Sequence, residues 1–222
     1  QDGAGFLDPG DDMRATVVLD NLIHQGDLPI TIAVFVDPGE RPGSPRDARG
    51  RNPQRNAEYD ADDDRYVTFL VEELMPEVGS RWSITADPHR RTLCGFSSGA
   101  TAAFTAAWRR PDAFGRAICF SSSFAQMPGG NPYPDRVAAS ARAPVGCFLH
   151  VGHRDLGWDE PDDNWFADTL DVAAALARAG YDVRLVVGDG GHDSNHAGVL
   201  LPDALRWAFF SDRRAVEALE RP

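Results

Sequence analysis

Five short apolar runs recur along this chain: "ITIAVFV" at 30–36, "RTLCGF" at 91–96, "FGRAICF" at 114–120, "APVGCFLHV" at 143–151 and "YDVRLVV" at 181–187. A run that is apolar without alternation has no face to offer water, so it reads as a strand buried on both sides. Stretches of helical character lie between the runs. In "DADDDRYVTFLVEELMPEV" (60–78), Val67, Leu70, Val71 and Leu74 fall at helical spacing, and the acidic start suits a helix N-terminus. "SGATAAFTAAWRR" (98–110) is Ala-rich and stops before Pro111; "DDNWFADTLDVAAALARAG" (162–180) stops at Gly180; "LPDALRWAFF" (201–210) is a further helix. Strands alternating with helices predict an α/β fold with a mostly parallel sheet covered on both faces. "ITIAVFV" is expected to be one of its central, doubly buried strands.

The chain has 222 residues, the size of one α/β domain, so a single domain is expected over 1–222. Its formal net charge of −12 repels phosphate backbones and argues against nucleic acid as a partner. No apolar run approaches the roughly 20 residues that cross a bilayer, so no membrane partner is expected. The composition suits a soluble protein of the cytoplasm or of the exterior. Cys94, Cys119 and Cys147 all lie in the strand-like runs; an odd count without framework spacing reads as small core residues, not a disulfide scaffold.

One junction carries chemistry. After "TLC" comes Gly95-Phe96-Ser97-Ser98-Gly99, and then the Ala-rich helix. The pattern G-x-S-x-G is common, but between a strand and a helix it has a mechanical meaning. A sharp turn exposes the central serine, and small neighbours let the backbone bend that tightly. The turn also aims the next N–H and the helix N-terminus at a developing oxyanion. Ser97 is therefore the candidate nucleophile, and the N–H of Ser98 a candidate oxyanion donor.

A serine needs a base, and the chain has six histidines. In this architecture the order is serine, acid, histidine, which leaves His192 and His196. His192 lies in the Gly-rich loop "GDGGHD" directly after an apolar run and is favoured; His196, four residues on, reads as already helical. The acid should follow "APVGCFLHV", where Asp155, Asp159 and Glu160 are available and Asp155 stands nearest the strand end. The pairs His150/His153 and His192/His196 could be read as metal ligands. "HDSNH", however, lacks the Glu of H-E-x-x-H, and His150 sits inside an apolar run, so neither a metal nor any other cofactor is expected.

Taken together, "GFSSGATAAFTAAWRRPDAFGRAICFSSSF", "HVGHRD", "GYDVRLVVGDGGHD", "LPDALRWAF", "VLDNLIHQGDLPITIAVFVDPG" and "RNAEYDADDDRYVTFLVEELMPEV" resemble the esterase D / enterochelin esterase-like family of serine hydrolases. The resemblance covers nearly the whole chain in the right order. It implies an α/β-hydrolase fold with Ser97 as nucleophile, Asp155 as acid and His192 as base. It also implies a second oxyanion donor just after an Asp-Gly turn, which falls on the N–H of Ala4 in "QDGAGF". The family includes siderophore trilactone esterases, feruloyl and acetylxylan esterases, S-formylglutathione hydrolases and mycolyltransferases. The expected function is hydrolysis of a small-molecule carboxylic ester, most like an enterochelin esterase. Carbohydrate-ester hydrolysis, acyl transfer and a catalytically silent binding protein are the alternatives.

In that family several strands precede the Asp-Gly turn, so the chain is expected to be N-terminally incomplete. Its open sheet edge is then expected to be covered by preceding residues or by a second copy in a homodimer. For the substrate, Arg41, Arg46, Arg49, Arg51 and Arg55 could grip an anion, and Tyr133, Trp158 and Trp165 could stack on a sugar or an aromatic acyl group. "RNAEYD" reads as a structural motif in which Arg55 and Glu58 pair.

Overall fold

A computed structural model describes residues 1–40, 43, 52 and 54–219, with side chains to residue 210. Four strands, β1 (Thr92–Phe96), β2 (Arg116–Phe120), β3 (Gly146–Gly152) and β4 (Asp182–Gly188), form one sheet in chain order, and every pair is parallel. The helices are α1 (Gly3–Leu7), α2 (Ala15–His24), α3 (Gln54–Tyr59), α4 (Arg65–Phe69), α5 (Met75–Arg81), α6 (Ser98–Arg109), α7 (Tyr133–Ala139), α8 (Trp165–Arg178) and α9 (Ser194–Leu219). A single wide π turn, Leu70–Leu74, joins α4 to α5. Pro76 lies just beyond it and has no N–H for the regular ladder, which accounts for a local change of winding.

β2 and β3 are buried on both sides, as their composition requires, whereas β1 is buried at alternate residues and β4, against the expectation for its apolar run, is an edge strand that leaves Leu185 and Val187 exposed. Ala117, Cys119, Cys147 and Leu149 point into a core shared with α6 and α8, which includes Phe104, Tyr133 and Leu176. Ile118, Phe120 and Phe148 point the other way, against α2 and α9 through Val18, Leu22 and Leu201. Phe148 and Leu149 are fully buried, so truncating either to alanine removes about 2–5 kcal/mol of stability. Burial also pushes the Cys147 thiol up to about 12, which suits a packing role. The three cysteines are free.

A further expectation about the fold is corrected. "ITIAVFV" is not a strand: residues 30–36 run without regular structure, and Ile30 is 94% exposed. A strand exists only through its ladder, and among the described residues this run forms none, its Val36 carbonyl alone accepting the Gly3 N–H. A cavity of about 420 Å³, lined by Ile32, Val34, Leu93, Cys94 and Leu201 among others, separates it from β1. The Gln1 nitrogen reaches across to donate to the Cys94 carbonyl at 2.7 Å. The acidic stretch stands at the start of α4 as expected: Asp63 Oδ1 accepts the N–H of Arg65, the first helical residue, at 2.9 Å, while Asp64 at the N-cap makes no side-chain cap bond. Asp62 and Asp64 instead pair with Arg109, and Asp62 also with Arg136. The hydrogen bond from Arg136 outweighs burial and holds the Asp62 carboxyl below the usual range.

Among the described residues no helix is long and apolar enough to cross a membrane.

Candidate active site

The sequence Gly-x-Ser-x-Gly folds here as its composition demands. Ser97 closes β1 with φ 59° and ψ −132°, a backbone conformation that a side chain tolerates only where the surroundings enforce it. Its N–H donates to the Phe120 carbonyl at 2.9 Å, and its carbonyl accepts from Ala100 and Thr101, so strand β2 and the first turn of α6 hold it from both sides. A Cβ on Gly95 would stand 2.1 Å from the Gly99 carbonyl oxygen; a Cβ on Gly99 would stand 2.8 Å from Asp2 Oδ2. The first glycine thus lets the helix turn back over the strand. The second lets the Asp2-Gly3 turn approach the helix start.

The other site residues follow the carboxyl ends of β3 and β4, where ligands of open α/β sheets bind. Beyond β3 the chain keeps contact with the loop after β4: the N–H of His153 donates to Gly188 O at 3.0 Å and that of Arg154 to Gly190 O at 2.8 Å. Gly152 makes this approach available, since a Cβ there would lie 2.6 Å from the Gly190 oxygen. The turn delivers Asp155, fully buried, to His192 Nδ1 at 2.7 Å. Asp155 Oδ1 also accepts the Leu156 N–H at 2.8 Å. Burial pushes the Asp155 carboxyl up, but the hydrogen bond and charge of His192 outweigh it and hold it below its ordinary value. The His192 ring lies between Phe96, with centroids 4.7 Å apart, and the edge of Trp165, 4.9 Å away. Phe96 immediately precedes Ser97. Among the described residues no hydrogen bond joins Ser97 Oγ to His192; the ring approaches the serine turn through Phe96.

The remaining histidines have other partners. His196 lies on α9 and contacts the buried His150, Nδ1 to Nε2, at 3.1 Å. His153 contacts the Gly188 carbonyl. The four imidazoles of the two spaced pairs are therefore divided among separate contacts. Trp165 and Tyr133 are buried, Tyr133 with its hydroxyl on Thr105, so neither is a stacking surface. Trp158 is half exposed beneath the Arg154 guanidinium, in the turn that follows Asp155. Arg41, Arg46, Arg49 and Arg51 lie outside the described residues.

The N-terminal turn sits beside the serine. Asp2 has φ 59° and ψ 51°. The N–H of Ala4 donates to Asp37 Oδ1 at 3.0 Å. Arg55 pairs with Asp2, not with Glu58, which accepts the Gly39 N–H at 3.0 Å. Sequence reasoning missed Asn56 and Asp60, which bond Ser98 Oγ, and Ser123, which bonds Asp60. Asp60 stands in "RNAEYD", directly after the buried Tyr59, and no signal in the sequence marked it.

A family model, Esterase, described as "Putative esterase", matches residues 1–216. No curated protein matches the chain. Among solved structures, the enterobactin esterase FES from Shigella flexneri in the presence of enterobactin superposes with a TM-score of 0.75 at 20% identity, over 93% of this chain and 49% of that one. Ferric enterobactin esterase from Salmonella typhimurium gives 0.71 at 21% identity, over 93% and 49%. A ferulic acid esterase gives 0.64 at 17% identity, over 90% and 79%. The chain spans about half the length of the enterobactin esterases it matches. The likeness establishes an α/β-hydrolase-type fold with a parallel sheet.

Proposed function

The chain belongs to the Esterase family, and we propose that it hydrolyses a carboxylic ester through an acyl-enzyme on Ser97. The observation that carries the reading is the buried Asp155–His192 hydrogen bond of 2.7 Å, set against the residue that precedes a strained serine. With Nδ1 committed to Asp155, the imidazole keeps Nε2 for proton transfer.

In the first half-reaction Ser97 Oγ attacks the ester carbonyl carbon while His192 Nε2 takes the hydroxyl proton. The negative charge gathers on the former carbonyl oxygen. There the N–H of Ser98, at the start of α6, and the N–H of Ala4, released from Asp37, donate to it. The tetrahedral intermediate collapses as the C–O bond to the alcohol breaks, and His192 returns the proton to the leaving oxygen. Water then attacks the acyl group by the same route and frees Ser97. No cofactor takes part in this scheme.

For the substrate, a siderophore-type trilactone is the leading choice, supported by the enterobactin esterases among the structural neighbours. The second reading, a feruloyl or other carbohydrate ester, is favoured by the half-exposed Trp158, a flat surface for an aromatic acyl group. Transfer of the acyl group to an alcohol other than water would use the same intermediate.

A hydrolysis panel tests the proposal: short p-nitrophenyl esters, a feruloyl ester, an acetylated sugar and a catecholate trilactone, each against wild type and Ser97→Ala. Turnover of at least one ester by wild type and its loss in Ser97→Ala is the expected result. Equal, measurable rates for the two proteins would take the chemistry away from Ser97, whereas no turnover of any ester and no labelling of Ser97 by a fluorophosphonate would leave the catalytically silent reading in its place.

A further inference from the structure

One short segment holds both sides of the serine turn. From α3, the Arg55 guanidinium forks onto Asp2, Nε to Oδ1 at 2.7 Å and Nη2 to Oδ2 at 2.6 Å. A parallel pair of charge-assisted bonds fixes orientation as well as distance. Tyr59, 1% exposed, accepts the Asp2 N–H at 3.3 Å through its hydroxyl. The same segment turns to the other side with Asn56 and Asp60. Ser98 Oγ donates to Asp60 Oδ2 at 3.0 Å, Asn56 Nδ2 donates to Asp60 Oδ2 at 2.9 Å and to Ser98 Oγ at 3.3 Å, and Ser123 Oγ donates to Asp60 Oδ1. Asp60 is 4% exposed, and Ser98 and Ser123 are buried with it.

A buried carboxylate is costly to retain unless its oxygens are filled, and here three donors fill them. The placement has a consequence for the reaction. Asp2 is two residues before Ala4, and Ser98 carries the other N–H assigned to the oxyanion. Residues 55–60 therefore bond to both sides of the gap between the two donors, adding to the backbone anchors at Val36 and Phe120. An oxyanion hole works only where both N–H groups converge on the position that the charged oxygen will occupy, and misplacement of about 1 Å removes much of its effect.

We propose that Arg55 and Asp60 are positioning residues that fix the gap between the Ala4 and Ser98 N–H groups and thereby form the oxyanion hole. Neither touches substrate. The proposal rests on the serine esterase reading above. It assigns to "RNAEYD" a role in transition-state binding beyond tying down a loop.

The test is made on the full chain with a p-nitrophenyl ester and with an alkyl boronic acid, which adds to the serine and mimics the tetrahedral species. Arg55→Ala should lower kcat by about 10²-fold, the cost of one displaced oxyanion donor, while KM stays within about threefold, as expected when only transition-state binding is lost. Boronate affinity should fall in parallel with kcat. Arg55→Lys should recover little, because an ammonium cannot reproduce the planar fork, whereas added guanidinium ion should partly restore Arg55→Ala. Asp60→Asn, which keeps the shape but loses the charge, should lower kcat and boronate affinity about tenfold. Should it fail to fold, the part-exposed Arg55 carries the test alone. A rise in KM with kcat retained, or boronate affinity unchanged while kcat falls, would overturn the proposal. Ser97→Ala separates the two readings. Full activity in that variant sinks the esterase mechanism itself; an inactive Ser97→Ala beside an Arg55→Ala of wild-type boronate affinity sinks only the positioning role.

Discussion

Asp155 meets His192 Nδ1 at 2.7 Å across 37 residues of sequence, and the carboxylate that does so is fully buried. The imidazole is correspondingly committed to one tautomer, with its proton on the nitrogen that faces the acid. Asp155→Asn should keep the fold and lower kcat by roughly 10³–10⁴-fold, because an amide can present its N–H to the ring and stabilise the wrong tautomer. Steady-state rates on a short p-nitrophenyl ester, with thermal melting as the fold control, check this. A loss under tenfold would transfer the acid role to Asp159 or Glu160.

The two glycines of the serine turn should fail in different ways. A Cβ on Gly95 would collide with the Gly99 backbone at 2.1 Å, and no side-chain rotation can relieve a clash with main chain. Gly95→Ala should cost about 3 kcal/mol or more and lower the melting temperature by roughly 10 °C. A Cβ on Gly99 meets Asp2 Oδ2 at 2.8 Å instead, the far end of a side chain that can move. Gly99→Ala should therefore melt close to wild type yet lose about tenfold in kcat, as the Asp2 turn is pushed from its place beside the serine. Comparable melting losses in the two variants would remove the distinction.

The apolar runs were enough to place β1 to β4, but burial on both faces holds only for the central β2 and β3; β4 lies at the sheet edge with Leu185 and Val187 exposed. They failed at 30–36, where the same composition lacks a ladder partner: apolar content measures the wish for burial, while a strand needs hydrogen bonds that another segment must supply. The site was legible to the extent that it is local. Ser97 was marked by glycines a few residues away, and Asp155 and His192 by their places after strands. What joins distant segments was not: nothing in "RNAEYD" alone says that Arg55 crosses to Asp2, 53 residues away, or that Asp60 lies under Ser98. The family resemblance of that stretch pointed to an Arg55–Glu58 pair, but the carboxylate of Asp2 offers both oxygens to the fork.

His150 should give the protein an acid-sensitive stability. It is 1% exposed on β3, its Nε2 meets His196, and its Nδ1 has no hydrogen-bond partner among the described residues. Burial, reinforced by His196, lowers its pKa from 6.5 to about 4, although Asp155 pulls the other way. The unfolded chain then binds a proton between these values that the folded chain refuses, so stability is complete above about pH 6.5 and declines as pH falls towards 4. The decline attributable to this residue is about 3 kcal/mol. Urea unfolding at pH 7 and pH 4.5 should show a smaller acid loss in His150→Gln than in wild type. Parallel pH profiles for the two proteins would assign the acid sensitivity elsewhere.

Asp37 occupies the donor that the proposed oxyanion requires. Its Oδ1 accepts the Ala4 N–H at 3.0 Å, while the preceding N–H, of Gly3, is taken by the Val36 carbonyl at 3.0 Å. The Val36 bond anchors the turn through the backbone and does not depend on the Asp37 side chain. A developing oxyanion must therefore compete with a carboxylate for the Ala4 N–H, and the two negative groups would repel one another at close range. Asp37→Ala leaves the anchor and frees the donor. It should raise kcat on a short p-nitrophenyl ester by about two- to tenfold, with KM little changed, since the net worth of exchanging one hydrogen-bond acceptor for another is about 1 kcal/mol. Asp37→Asn, which retains an acceptor but removes the charge, should fall between the variant and wild type. A tenfold loss of kcat in Asp37→Ala would mean that the carboxylate holds Ala4 in its working position, and that the N–H it binds is not the one the oxyanion uses.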